Sequence, residues 1–160
     1  MEAPMKKILF ISSTGGHLTE LLQLSPMFEH CDYHLITENT ESNQPLKEKY
    51  GDRFDTLVFG TKVHLFTYLF KFAYNCLKSL WLYFKIRPDY VITTGTHTAV
   101  PMCRIAHIFH KKVIWIETMA NAKTATAAGK MVYPIADLFI VQWESMLEIY
   151  PDAVCWGWVF

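Results

Sequence analysis

Short unbroken apolar runs alternate along this chain with longer stretches whose apolar residues fall three and four positions apart. Residues 8–11 form the first run, and it stops abruptly in Ser12-Ser13-Thr14-Gly15-Gly16. That is the pattern of a buried central strand entering a tight turn. Leu18, Leu21, Leu22 and Leu24 then take helical spacing, with Pro26 placed to distort the end of the helix. Residues 33–37 read as a second strand, 39–44 as a polar surface loop, 45–50 as a short helix stopped by Gly51, and 56–59 as a third strand closed by Gly60. Further strands are expected at 89–94, 112–116 and 138–141. A helix opens at Ala99-Val100-Pro101, where proline suits the first turn and Thr98 is the expected N-cap. Residues 121–130 are small and polar, and after the sixth strand a short helix runs to Tyr150. The alternation predicts an α/β fold: a Rossmann-like, mostly parallel sheet with helices on both faces.

Residues 65–86 break the proportion. They hold Phe66, Tyr68, Phe70, Phe72, Tyr74, Trp81, Tyr83 and Phe84, with no proline or glycine until Pro88. The length suits a helix. His64, Lys71, Lys78 and Lys85 fall one heptad apart and so form one stripe, with Asn75 beside it. The apolar remainder exceeds the roughly 100° that a crossover helix needs to cover a sheet. A transmembrane span would carry Lys71 and Lys78 near mid-bilayer, at roughly +2.5 to +3.5 kcal/mol each, and is rejected. Two readings remain open: a helix lying in a membrane interface, with Phe70, Trp81 and Phe84 inserted and Lys71, Lys78 and Lys85 snorkelling, or a core helix covered on two sides.

Composition changes the picture little. The 160 residues suit one domain, expected over 6–160, with 1–5 a leader or disordered start. Hydrophobic residues make up 51% and aromatics 15%, high enough to expect extra apolar surface beyond the core. The formal charge is zero, which gives no sign of a nucleic-acid partner. Cys31, Cys76, Cys103 and Cys155 are scattered without a C-x-x-C pair, so a reduced chain is expected. His107 and His110 share a helix face but have no third ligand nearby, so no metal or other cofactor is expected. Lys6-Lys7 leads straight into a strand, unlike a signal peptide, and a cytoplasmic chain is expected.

The candidate chemistry sits where strands meet glycines. Thr14, Gly15, Gly16 and His17 join the first strand to a helix N-terminus, where free N–H groups and the helix dipole favour phosphate. The dinucleotide fingerprint fails for want of a third glycine, although Glu38 lies roughly where its ribose-binding acid would fall. Thr94, Gly95, Thr96 and His97 form a second such junction, which in a parallel sheet lies on the same edge as the first. The fifth strand delivers Glu117 to that edge, to contact a sugar hydroxyl, cap a helix or act as a base. The chain closes on Trp156, Trp158 and Phe160, apolar residues with little chain left to cover them.

Gly15-Gly16-His17, Thr94-Gly95, Ile116-Glu117 and the run Gly129-Lys130-x-x-Tyr133-Pro134-x-x-Asp137-x-Phe139-x-Val141-Gln142-Trp143 together resemble one family. It is the acceptor-side subunit of bacterial capsular and exopolysaccharide glycosyltransferases (CpsF- or PssD-like). That family is similar to the membrane-anchoring subunit of the eukaryotic enzyme adding the second N-acetylglucosamine to dolichol diphosphate. The resemblance implies the N-terminal, acceptor-binding half of a GT-B transferase, with a separate chain supplying the donor half. It carries over Gly15, Gly16 and His17 as the loop near the acceptor diphosphate, with Thr94, Gly95 and Glu117 lining the cleft. Many relatives have arginine where this chain has Asn121; if that arginine binds phosphate or the partner, the task falls elsewhere, with Lys123 the candidate.

The expected function is therefore a membrane-associated subunit of an inverting transferase on the cytoplasmic face of the cell membrane. It would move a sugar from a UDP-sugar to a polyprenyl-diphosphate-linked sugar and be inactive without its donor-binding partner. Trp143, Trp156, Trp158 and Phe160 are the expected docking residues. The base lies on that partner or on this chain, where His17 and Glu117 are the candidates. Two alternatives stand beside it: a stand-alone nucleotide-binding module and a non-catalytic membrane adaptor.

Overall fold

The computed structural model describes residues 5–60 and 65–159, with side chains from residue 69 onward in the helix beginning at Leu65. Seven strands form one parallel sheet: β1 (Lys7–Ile11), β2 (Asp32–Asn39), β3 (Phe54–Val58), β4 (Tyr90–Thr93), β5 (Lys112–Ile116), β6 (Leu138–Val141) and β7 (Val154–Cys155). Their order is β3-β2-β1-β4-β5-β6-β7, so the chain winds outward one way from β1 and then the other way from β4. The crevice of such a sheet lies beyond the carboxyl ends of β1 and β4, where the winding reverses. β1 pairs with both, Ile11 lying against Ile36 of β2 and Thr93 of β4. Leu9, Phe10 and Ile11 are fully buried, as an apolar run flanked by strands on both sides requires.

Alternation along β1 sends Leu9 and Ile11 to one face of the sheet and Phe10 to the other. The first face packs against α3 (Leu65–Ile86), α4 (Val100–Ile108) and α5 (Ala127–Val132). The second lies under α1 (Gly16–Leu22), α2 (Gln44–Tyr50) and a 3-10 helix, Ser25–His30, that Pro26 opens. The sheet and the alternating layers are as expected from the sequence. Cys103 is fully buried in α4, and burial pushes its thiol up to about 12.

Several details differ. The third strand begins at Phe54 and ends at Val58, because Phe54 pairs with Leu35 and joins the second core while Phe59 turns outward. Residues 39–44 are not a plain loop: Glu41–Asn43 is a 3-10 turn, and buried Asn43 donates to the Glu38 carbonyl at 2.9 Å. Thr98 does not cap α4, whose N-cap is Ala99 with no side-chain bond; Thr98 turns inward to Glu38. The C-terminal segment adds β7 against β6.

The long helix α3 has three separate faces. Asn75, Ser79, Leu82 and Tyr83 are buried against the sheet. Asn75 acts as a strand edge there, accepting from Val58 N and donating to Val58 O, both at 2.8 Å. On the far side Leu69, Phe70, Tyr74, Leu77, Leu80, Trp81 and Phe84 are all exposed and fall within an arc of about 140° at helical pitch. The core helix covered on two sides is thereby overturned for the described residues. Lysines occupy the seam between these faces, as one stripe, but they are not equivalent. Lys71 is exposed, Lys78 lines a polar cavity with Asp55 and Lys47, and Lys85 pairs with Asp55 at 2.8 Å. His64 lies outside the described residues.

Candidate functional site

The two glycine junctions meet beyond the carboxyl ends of β1 and β4 and are tied together. Ser13 N donates to Gly95 O at 3.2 Å. His17 Nδ1 lies 2.7 Å from the Thr94 carbonyl, and Thr94 Oγ1 donates to the His17 carbonyl at 2.6 Å. A carbonyl only accepts, so Nδ1 carries a proton, and of the two neutral tautomers this contact selects the one with its lone pair at Nε2. Gly95 sits at φ +97°, a conformation that side chains disfavour. A methyl group placed on it would lie 3.4 Å from His17 Nδ1 and 3.5 Å from Trp115 Cζ2, so imidazole and indole close on the same spot.

Beneath the loops lies buried carboxylate chemistry that the sequence reading assigned only in part. Glu38, 2% exposed at the end of β2, accepts from Thr14 N at 3.1 Å and from Thr98 Oγ1 at 2.7 Å. It fastens the first loop to the entry of α4 and is not a ribose ligand. Glu20, on α1, accepts from Thr118 Oγ1 at 3.1 Å and Met119 N at 3.0 Å, securing the loop after β5. Sequence reasoning missed it, although a carboxylate inside the apolar stripe of Leu18 and Leu21 was a signal.

Glu117 is 1% exposed and accepts from Trp115 Nε1 at 2.9 Å. It borders a small cavity of about 20 Å³, room for one water, shared with His17, Thr94, Thr96 and Thr126. Thr96 and His97 are half-buried at the same edge. The donors of Thr14 and Gly95 are engaged internally, by Glu38 and by Thr93 Oγ1 at 3.0 Å, which leaves Gly15 and Gly16 as the exposed part of the loops. Lys123 and Asn121 lie on the loop that follows β5, Lys123 exposed.

The tryptophans expected to dock a partner divide. Trp143 is half-buried, donates to the Met119 carbonyl at 2.8 Å and meets the Trp158 ring edge-on, so it serves the fold of this chain. Trp156 and Trp158 stay 66% and 57% exposed. With Met27, Ile114, Leu138 and Ile140 they line an apolar groove of about 420 Å³ across β4, β5 and β6. Phe160 lies outside the described residues.

This architecture is the Rossmann-like N-terminal half of a GT-B fold. MurG of Acinetobacter baumannii superposes with a TM-score of 0.71 over 88% of this chain at 16% identity. The UDP-N-acetylglucosamine 2-epimerase of Rickettsia bellii superposes at 0.72 over 97%, also at 16%. The chain spans 42% and 45% of those two structures, less than half of each. In sequence, residues 8–159 match the family "Oligosaccharide biosynthesis protein Alg14 like", and the chain belongs to that family. The UDP-N-acetylglucosamine transferase subunit ALG14 of Mus musculus is 28% identical over 94% of this chain and 82% of its own length. The subunit of the same name from Kluyveromyces lactis is 26% identical over 94% and 77%. These relatives agree with the eukaryotic side of the resemblance, and they lend no support to the capsular or exopolysaccharide setting.

Proposed function

We propose that this chain, acting as one unit over residues 6–160, is the acceptor-side subunit of a two-chain inverting glycosyltransferase. A polyprenyl-diphosphate-linked sugar is the acceptor and a UDP-sugar the donor. UDP-N-acetylglucosamine is the first donor to test, because the relatives are named for it. The observation that carries the reading is the bonding of the two glycine loops around His17, whose lone pair at Nε2 suits acceptance of the proton from the attacking hydroxyl. The exposed Gly15 and Gly16 at the start of α1, with Thr96 and His97, are assigned to the diphosphate. Gly95, Thr94 and Thr14 shape the loops rather than supply donors. No step in this assignment calls on a metal or other cofactor.

A donor-binding chain completes the cleft, and the relatives' description as subunits supports this. We assign its contact to the groove edged by Trp156 and Trp158. A membrane surface is assigned to the outer arc of α3, continued by Ile108 and Phe109, which are 67% and 42% exposed; Phe109 stacks on Tyr83 at 5.0 Å. Charge supports that choice. Residues 61–112 contain eight of the fifteen lysines and arginines but only one of the fifteen carboxylates, Asp89. Such a surface suits anionic lipid. Peripheral attachment accords with this assignment, and we assign it to the cytoplasmic face.

The purified chain is expected to transfer no sugar alone and to gain transfer when combined with a donor-binding chain of about one-domain size. Inverting transfer needs both substrates held face to face, which one wall of a cleft does not provide. Transfer by this chain alone from a UDP-sugar to a polyprenyl-diphosphate acceptor would falsify the two-chain reading.

A further inference from the structure

We propose that Glu117 is a positioning residue rather than a base, acting on the His17 imidazole through the Trp115 indole, and that Gly129 is the space in which it does so. The inference deepens the reading of His17 as the acting group and rests on it.

The contacts run in sequence. Glu117 is 1% exposed and meets the loops only through the one-water cavity it shares with His17. Its Oε2 takes the Trp115 N–H at 2.9 Å, the one polar handle on an indole that is itself 1% exposed. Residues 115 and 117 lie two apart at the end of β5, so their side chains share a face and the bond locks the ring's rotation. Cζ2, on the same edge of that ring as the N–H, and the His17 ring flank the space where a side chain on Gly95 would stand, each about 3.5 Å from it. The imidazole is thus held by the Thr94 carbonyl that fixes its tautomer and faces, across one small cavity, a ring whose angle Glu117 sets.

Gly129, buried in α5, shows how closely this is fitted. A methyl group there would meet Glu117 Oε2, Tyr150 OH and Thr126 Oγ1, all inside 3 Å. Three side-chain oxygens therefore converge where residue 129 has no side chain. Tyr150 is 2% exposed, and burial first, then the Glu117 charge, pushes its hydroxyl far above the usual phenol range, so it stands neutral beside the carboxylate. The helix brings glycine to this point because Thr126 caps it, accepting from Gly129 N at 2.8 Å. Glu117, Tyr150 and Gly129 are all buried, and the Trp115 ring links this cluster to the two loops.

The test pairs a readout on the chain alone with one on the assembled transferase. In the full chain, His17 ring resonances and the Trp115 indole N–H are followed by NMR for Glu117→Gln, Glu117→Leu, Gly129→Ala and Trp115→Phe. Glutamine keeps an oxygen to accept the indole N–H, whereas leucine does not. Glu117→Leu, Gly129→Ala and Trp115→Phe are expected to shift the His17 resonances, and Glu117→Gln to leave them near the parent's. In the assembled pair the first three lower kcat by roughly 10- to 100-fold with the KM for UDP-sugar held. Glu117→Gln recovers most of the rate lost with leucine. A glutamine variant as inactive as the leucine one, with His17 resonances unmoved in both, makes Glu117 a chemical participant and overturns the inference. Unmoved His17 resonances in Gly129→Ala and Trp115→Phe overturn it as well. If even the parent pair transfers no sugar, the transferase reading fails, while the NMR comparison still decides this one.

Discussion

The loop edge of the sheet and the outer arc of α3 invert the usual arrangement of a protein in opposite ways. At the loop edge charged groups are buried: Glu20, Glu38 and Glu117 are each at most 3% exposed and bind hydroxyls, backbone N–H groups and an indole. On α3 large apolar groups are exposed, Phe70 by 65% and Leu77 by 69%. A buried charge persists only if donors satisfy it, so the first region is rigid and intolerant of change. An exposed apolar arc contributes less to the fold of this chain than its buried face, so it tolerates change better unless something else covers it. Stability and association should therefore respond to mutation at different ends of the molecule.

The largest effect is expected from Glu38→Ala. It strands Thr14 N and Thr98 Oγ1 in the interior, and removal of hydrogen bonds to a charged group costs about 1.5–3 kcal/mol each. Urea unfolding should show a loss of about 3 kcal/mol or more. A loss below about 1 kcal/mol would erase the contrast from the loop side. Replacing Phe70, Trp81 and Phe84 together by serine should cost less than Glu38→Ala, although Phe84 gives up its edge contacts with Tyr83 and Phe109. The same variant should bind vesicles containing phosphatidylglycerol more weakly by about tenfold for each ring, from apolar area at about 25 cal/mol per Å². Unchanged vesicle binding would leave the arc without a lipid role.

A smaller effect separates the lysines of the seam. Lys71→Glu should weaken binding to the same vesicles by about 1 kcal/mol, in keeping with a free charge near an anionic surface. Lys85→Glu acts on the fold instead, because it opposes Asp55. The smallest signal is in pH. Burial alone would raise Asp55 and Asp137, but hydrogen bonds from His34 and Lys85 to the first, and from Lys112 and Val113 N to the second, hold both below 3.8. Carboxyls depressed in the folded state contribute stability above their unfolded pKa and lose it as pH falls through the folded one. Acid unfolding of Asp137→Asn should therefore flatten below about pH 4 relative to the parent. Vesicle binding by the lysine-free arc should not follow that limb.

How much of this was visible beforehand can be argued residue by residue. The apolar run 8–11 ending in Gly15-Gly16-His17 pointed to the first loop, since a strand that stops at glycines has few other structures open to it. Thr94-Gly95 pointed to the second for the same reason. Glu38 was noticed only as a failed fingerprint acid, because the hydroxyl it holds belongs to Thr98, sixty positions away. The Trp115–Glu117 bond was open to inference, as residues two apart on a strand face one way, but the burial of the glutamate was not. The lysine stripe followed from spacing. That Lys85 points to Asp55 on β3 did not, because spacing places residues on a helix without saying how the helix is turned.

Local pattern by itself determined six of the strands, the helices α1, α2, α3 and α4, their parallel sheet and the two glycine junctions, since each depends on spacing and backbone sterics within a few residues, whereas α5 and β7 were not expected. It also determined that residues 65–86 carry more apolar surface than one sheet face can bury. Tertiary structure alone decided which arc of α3 faces out, which tryptophans stay exposed, and which glutamates are shut inside. Those outcomes depend on groups far apart in the chain coming within hydrogen-bond distance. Long-range packing sets the desolvation that makes such a bond obligatory, and no window along the sequence contains it.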